Sequence, residues 1–431
     1  MSSLTIEFLD QEGRGVAHRD GKAVFIEGAL PGETVTCTVH RRKPSYEIAT
    51  VADVLRASSS RVTPRCPYFG LCGGCSLQHL EPRAQVAVKQ RVLEDDLWHI
   101  GRVRPGVVLR AIYGPSWGYR HRARLTVRYV PKKGGALVGF HERRSSYVAD
   151  MKSCEILPPR ISALLPPLRT LVDGLSIRTR VPQVEVALGD GCDVLVFRVL
   201  VRPNASDEEL LRAFAECHGV SVYLQPGGPD SARAFHPPEE ADLCYGLPEF
   251  DLRIGFSPTD FTQVNHAVNR ILVRRALALL EVRSGERVAD LFCGLGNFTL
   301  AIARSGAEAT GIEGNGELIR RAAANAARNG LQEAARFVEM DLYAEGGLRF
   351  SELGHFDRML VDPPRDGAIE VVKALPGEGP RRIVYISCNP ATLARDAAVL
   401  VHSRGYALSA AGVVNMFPHT SHVESIAVFD R

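Results

Sequence analysis

Short apolar and β-branched runs, broken every few positions by Gly, Pro and Asp, fill the start of the chain: Ile6-Glu-Phe-Leu9, Ala23-Val-Phe-Ile26, Thr34-Val-Thr-Cys-Thr-Val39 and Ile48-Ala-Thr-Val-Ala-Asp-Val-Leu55. Turn sequences such as Gly13-Arg-Gly15 and Leu30-Pro-Gly-Glu33 separate them, so the pattern predicts a small β-barrel over residues 1–57. Residues 58–250 read as an α+β domain. Its strands are predicted at 123–130, 137–140, 184–188, 194–201 and 220–224, with one helix from Asp207 to His218 behind the candidate caps Asn204 and Ser206. From 251 to 431 strands and helices alternate, the signature of a doubly wound, Rossmann-like α/β sheet. Strands are predicted at 287–292, 307–313, 356–361, 383–386 and 425–429, and a helix at 297–304. At roughly 150 residues per domain, 431 residues accommodate three such units. The chain starts without a basic segment leading into an apolar run, and no window approaches the roughly 18 apolar residues of a membrane span. A cytoplasmic protein is expected.

Charge changes this picture. The net +3 hides 18 Lys and Arg against 7 acids in residues 58–160, and 27 against 34 in residues 161–431. From Arg102 to Lys152, Arg104, Arg110, Arg120, Arg122, Arg124, Arg128, Lys132, Lys133, Arg143 and Arg144 are interrupted by only Glu142 and Asp150. Such a field attracts a polyanion by counterion release, and arginine forks suit phosphate oxygens. Trp117, Tyr119, His121, Tyr129 and Tyr147 interleave with the charges as candidates to stack bases. Nucleic acid is the leading partner; a solvated strand face is the plainer alternative.

Ten cysteines in a reducing compartment argue for metal binding or chemistry over disulfides. Cys66-Pro-Tyr-Phe-Gly-Leu-Cys72-Gly-Gly-Cys75 sets three thiols in one glycine-bearing loop, and Cys154 is a distant fourth candidate. That spacing favours an iron–sulfur cluster over zinc, which more often uses two separated pairs, and over a Cys72/Cys75 redox disulfide. Cys37, Cys192, Cys217 and Cys244 read as small buried apolar residues.

The glycine turn Gly294-Leu-Gly296 follows the strand that starts at Arg287, and Glu313 ends the next strand about 20 residues on, where a carboxylate can bind ribose hydroxyls. The third glycine of a dinucleotide fingerprint would fall at 299, which is Thr. The pattern resembles the methyltransferases that use S-adenosylmethionine (SAM). Asp362-Pro-Pro-Arg365 lacks the aromatic residue that follows the prolines in exocyclic-amine methyltransferases, and Ser387-Cys388-Asn389-Pro390 puts a thiol at a strand end instead. Carbon 5 of uracil is a feeble nucleophile until a thiolate adds at carbon 6; the resulting enolate can attack an activated methyl group. Loss of the carbon 5 proton then needs a base. Met416-Phe-Pro-His-Thr-Ser-His-Val-Glu424 offers His419, His422 and Glu424, of which Glu424 is favoured.

The order Glu12-Gly-Arg-Gly-Val-Ala17, then Val24-Phe-Ile-Glu-Gly-Ala-Leu-Pro-Gly-Glu33, resembles the TRAM domain, an OB-type RNA-binding barrel. Together with the motifs above it resembles the bacterial RNA uracil-5 methyltransferases over most of the chain, and most of all the members that carry both a TRAM barrel and an iron–sulfur domain and act on 23S rRNA. The resemblance implies Cys388 as nucleophile and Glu424 as base, and a [4Fe-4S] cluster on Cys66, Cys72, Cys75 and Cys154. It puts Gln263, Phe292, Asn297, Glu313, Asp341 and Asp362 on the SAM side of the pocket; Gln263 comes from Phe261-Thr-Gln-Val-Asn265, and Asp341 matches by position alone. Phe261 is a candidate to meet a flipped base. The substrate would be a uridine in a loop or bulge, taken by a monomer. A tRNA uridine-5 or RNA cytidine-5 methyltransferase, or a non-catalytic RNA-binding protein, are the alternatives.

Overall fold

The computed structural model describes residues 3–344 and 350–431. Strands Leu4–Thr5, Phe8–Leu9, Gly15–Arg19, Lys22–Glu27, Thr34–Arg42 and Tyr46–Arg56 form one six-stranded sheet around Leu4, Ile6, Val24, Ile26, Val35 and Ala49. Glu33, fully buried, locks this unit to the next segment: it accepts from Leu30 N, Ser58 N and the Arg61 guanidinium, the last at 2.6 Å.

A second six-stranded sheet runs in the order Arg233–His236, Ser221–Gln225, Asp193–Arg198, Gln183–Leu188, Arg122–Val130 and Gly135–Gly139. Only Asp193–Arg198 and Ser221–Gln225 pair in parallel, because helix Ala205–His218 connects them. That helix starts at a capping box in which Asn204 Oδ1 accepts from Asp207 N and Asp207 returns the bond to Asn204 N. Helix Leu165–Gly174 was not foreseen; Pro166 and Pro167 mask it, although proline is well tolerated in a first turn.

The third sheet has eight strands in the order Ala335–Glu339, Glu308–Glu313, Arg287–Leu291, Arg358–Val361, Arg382–Ser387, Glu424–Asp430, Ala407–Val414 and Val107–Val108. The first five are parallel; Glu424–Asp430 runs antiparallel to both its neighbours. Strand order reverses between Arg287–Leu291 and Arg358–Val361, the switch point where such sheets open a crevice for ligands.

The linear division at 58–250 does not follow the packing of residues 82–112. Helix Pro82–His99 buries Leu93 and Leu97 in one core with Leu393, Ala394 and Ala397 of helix Pro390–His402, and Val107–Val108 is the eighth strand of the C-terminal sheet. The periodicity of this helix is faint because its buried stripe mixes Gln85, Lys89 and Asp96 with Val86, Leu93 and Leu97.

Candidate active site at the carboxyl edge of the sheet

The parallel strands all end along one edge, and each delivers a side chain there. Phe292 follows Arg287–Leu291, Glu313 ends the next strand, Asp341 follows Ala335–Glu339, Asp362 follows Arg358–Val361, and Cys388 follows Arg382–Ser387. The antiparallel strand begins at the same edge, with Ser425 opposite Ser387, so Glu424 starts beside the end that carries Cys388.

On the cofactor side, Gly294 and Gly296 adopt φ of +52° and +86° to make the tight turn. A Cβ at Gly294 would meet open space, whereas one on Gly311 beneath would strike Cys293 Sγ and Phe337 at 2.8 Å. The turn is therefore open above and packed below. Glu313 accepts from Gly294 N at 3.2 Å and from Asn315 N at 3.1 Å. Asp290 is fully buried and takes the Thr299 hydroxyl at 2.5 Å; burial, with Asp362 adding, pushes its carboxyl up to about 7. Its other oxygen has no partner among the described residues. Phe292 packs on Tyr343 at 5.6 Å between ring centres, and exposed Asp341 accepts from Tyr343 N. The Asn297 amide is taken up by Asn269, in bonds of 2.9 and 3.1 Å, and by the Tyr245 hydroxyl. Gln263 is half-buried, and Phe261 is 73% exposed. Their segment is pinned by Asn265, which caps helix His266–Leu280 and reaches Met416 O.

On the reacting side, Cys388 is half-buried, just before the 13-residue helix Pro390–His402. Burial, then the Glu424 and Asp362 carboxylates, push its thiol up to about 11, and Arg365 opposes them. Glu424 is 4% exposed; burial and then Asp362 push it up to about 8, against Lys89 and Arg365. Burial raises Asp362 to about 7, although the residue is only half-buried. Asp362 thus acts on Glu424 and both act on the thiol, so a proton on either carboxyl group lessens the repulsion on Cys388. Arg365 is held over the site by its backbone, its carbonyl accepting from Asn389 Nδ2 and Thr392 Oγ1 at 3.1 Å each. His422 lies edge-on to Phe417 and 3.4 Å from Arg365, while His419 stacks on Trp117 at 3.8 Å. Burial pushes both rings down to about 4, so they stay neutral.

Lys89, Gln85, Asp290 and Arg365 were not singled out from sequence as site residues. For the first two the available signal was a Lys and a Gln four residues apart on one helical face that also carries Val86, Leu93 and Leu97.

The family described as tRNA (Uracil-5-)-methyltransferase matches residues 251–431, and the TRAM domain matches residues 3–52. The protein named 23S rRNA (uracil(1939)-C(5))-methyltransferase RlmD from Nitrosospira multiformis is 63% identical over 430 residues, covering 99% of this chain and 98% of its own. That of Aromatoleum aromaticum is 61% identical over 432 residues and 100% of both chains. This chain belongs to the RNA uracil-5-methyltransferase family. The fold agrees: the Pyrococcus abyssi tRNA (uracil-54, C5)-methyltransferase, solved with S-adenosyl-L-homocysteine, superposes with a TM-score of 0.76 over 99% of both chains at 24% identity.

In this uracil-5-methyltransferase chain, no group of three or more His, Cys, Asp or Glu side chains among the described residues closes round a single metal ion. Cys66, Cys72, Cys75 and Cys154 nevertheless line one cavity, with Tyr68, Gln78, Phe140 and Met151. Burial raises three of the thiols, Cys75 to about 12 and Cys154 to about 11, with Cys72 raised in direction. A single tetrahedral ion would draw its four sulfurs to within roughly 4 Å of one another, whereas a cubane holds its thiolates further apart. Of the remaining cysteines, Cys217 is exposed rather than buried, and Cys37 and Cys192 are intermediate.

Several aromatic residues proposed to stack bases are otherwise engaged. Trp117 stacks on His419, Tyr119 is 2% exposed and donates its hydroxyl to Pro418 O, His121 stacks on His266 at 4.2 Å, and Tyr129 carries the Arg178 guanidinium. Trp117, Tyr119 and His121 precede the strand Arg122–Val130, and only Tyr129 lies within it. Tyr147, 72% exposed, remains available. Arg124, Arg128, Lys132, Lys133, Arg144 and Lys152 are exposed, although Arg124 pairs with Glu185 and Arg144 with Glu27. Among the described residues no helix is long and apolar enough to cross a membrane.

Proposed function

We propose that this chain transfers a methyl group from SAM to carbon 5 of a uridine in 23S rRNA, at the position named for its relatives, uracil 1939. The observation that carries the reading is the meeting of Asp362, Cys388 and Glu424 at one edge, from neighbouring strands, next to an open glycine turn. SAM supplies an electrophilic methyl group when bound. Glu313, Asp341 and Asp362 offer carboxylates for its hydroxyls and ammonium group, and Gln263, Phe292 and Asn297 line the same side. Cys388 adds through sulfur to carbon 6 of the ring, and the electrons displaced to carbon 5 and oxygen 4 make carbon 5 nucleophilic. After methylation Glu424 takes the carbon 5 proton, the C5=C6 double bond re-forms, and the carbon–sulfur bond breaks to return the thiolate. The base must leave its stack to reach Cys388, which costs least in a loop or bulge.

The division of labour follows the three parts. The barrel at 1–57 and the basic part of 58–250 hold the surrounding RNA phosphates, and 251–431, with residues 82–112 packed on it, performs the transfer. Cys66, Cys72, Cys75 and Cys154 would hold a [4Fe-4S] cluster, which would crosslink the loop at 66–75 to the segment at 154. The protein acts as a cytoplasmic monomer. Mapping 5-methyluridine in ribosomal and transfer RNA from cells lacking this protein tests the reading: the 23S mark should vanish and the tRNA mark persist. The reverse result would assign the activity to tRNA.

A further inference from the structure

Helix Pro82–His99 turns a polar stripe towards the catalytic sheet. Gln85 and Lys89, four residues apart and therefore on one face, both grip the segment that leads to Glu424. Gln85 Oε1 accepts from His419 N at 2.8 Å. Lys89 Nζ donates to Asn415 Oδ1 at 2.9 Å and to the Phe417 carbonyl at 2.8 Å. Val414 is paired with Glu424 across the sheet, so Asn415 adjoins the residue opposite that carboxylate. Lys89 is 1% exposed and makes no contact ion pair among the described residues. A cation buried on two neutral acceptors is costly to keep, and an apolar side chain would fill the same space at less expense.

We propose that Lys89 is a positioning residue for Glu424: it fixes the Asn415–Phe417 segment and supplies a buried positive charge facing the Glu424 carboxylate. The proposal rests on the reading of Glu424 as the base. Around that carboxyl group stand Asp362 and Cys388 from the adjacent strand ends, Arg365 from the loop after Asp362, and Lys89 from the helix. Lys89 also faces His419 and His422, both neutral. Burial lowers Lys89 and raises Glu424, and each opposes the other's shift, so the ammonium favours the carboxylate form of Glu424. Without the ammonium, Glu424 keeps its proton to higher pH, and elimination slows. In that step Glu424 gains the carbon 5 proton and Cys388 departs with the electron pair of the carbon–sulfur bond.

The test uses the full-length protein, a 23S rRNA fragment containing the target uridine, and SAM. Rapid quenching follows methyl transfer and loss of the protein–RNA adduct across pH in wild type, Lys89→Met, Lys89→Gln and Glu424→Gln. Both Lys89 variants should release methylated RNA about tenfold more slowly, with the acid limb of release moved up by roughly one pH unit, while methyl transfer into the adduct stays at the wild-type rate. Wild-type release with an unmoved acid limb in either folded variant would overturn the proposal. So would a Lys89→Met protein that unfolds beside a Lys89→Gln protein that releases normally. Normal release by Glu424→Gln would instead remove the base assignment itself.

Discussion

The catalytic edge and the cysteine cavity both bury ionisable groups, but they compensate that burial in opposite ways. At the edge, Asp362, Cys388 and Glu424 come from three strands and are met by Lys89 and Arg365, so charge is shared among the chain's own groups. In the cavity, four thiols face one another, and Arg143, on Cys72, is the one cation among the influences resolved there. Four buried thiolates beside a single guanidinium are unfavourable, so ionising all of them would call for positive charge from outside the chain. On the function proposed above, the same atom, sulfur, would serve as a transient nucleophile at the edge and as a ligand in the cavity, the difference lying in its neighbours.

The largest expected effect breaks the edge. Cys388→Ala should lower methyl transfer roughly 10⁴-fold while RNA binding, measured by filter retention, is unchanged. It should also leave the cavity's iron content intact, as two independent sites require. Glu424→Gln comes next: it should methylate once and then remain attached to its RNA, slowing release roughly 10²- to 10⁴-fold. The sign of the pH effect follows from the raised carboxyl group. A base must be ionised, so in the wild type adduct release should climb as pH rises towards about 8 and fall off below it.

Cys72→Ser sharpens the other half of the comparison. It should abolish the brown colour and iron of protein prepared without air and lower thermal stability by about 2–5 kcal/mol, the scale of losing a crosslink. Colourless wild-type protein carrying zinc would remove the cluster. The smallest effect lies away from both sets: Lys132→Gln should weaken RNA binding modestly and reduce the salt slope of log K by about one, with no change in release.

What was legible in the sequence follows from how local its cause was. The catalytic sheet announced itself because a parallel, two-faced buried strand needs an apolar run, as in Ile383–Ile386, and because Gly294 and Gly296 mark a turn that few other residues can make. Cys388, Asp362 and Glu424 were legible as strand-end residues for the same reason. The helix at Pro82–His99 was hidden: Gln85, Lys89 and Asp96 share its buried face with Val86, Leu93 and Leu97, so polar groups interrupt its hydrophobic stripe. The strand Val107–Val108 is two residues long and pairs with Ala410 and Ala411 some 300 positions away, a contact no local pattern encodes. The basic block from Arg102 to Lys152 was read with the right charge but too generous a set of stacking rings, because Tyr119 and Trp117 are taken up by Pro418 and His419, some 300 positions away, contacts that no local pattern encodes.

The central claim is that Cys388 sulfur bonds to the pyrimidine ring. Incubating the protein with SAM and a 23S rRNA fragment carrying 5-fluorouridine at the target position blocks the final proton loss, so mass spectrometry of the digested complex should find methylated fluorouridine joined to the peptide containing Cys388. Methylation of the ordinary uridine fragment, with no such bond ever formed by the fluorinated one, would contradict the account.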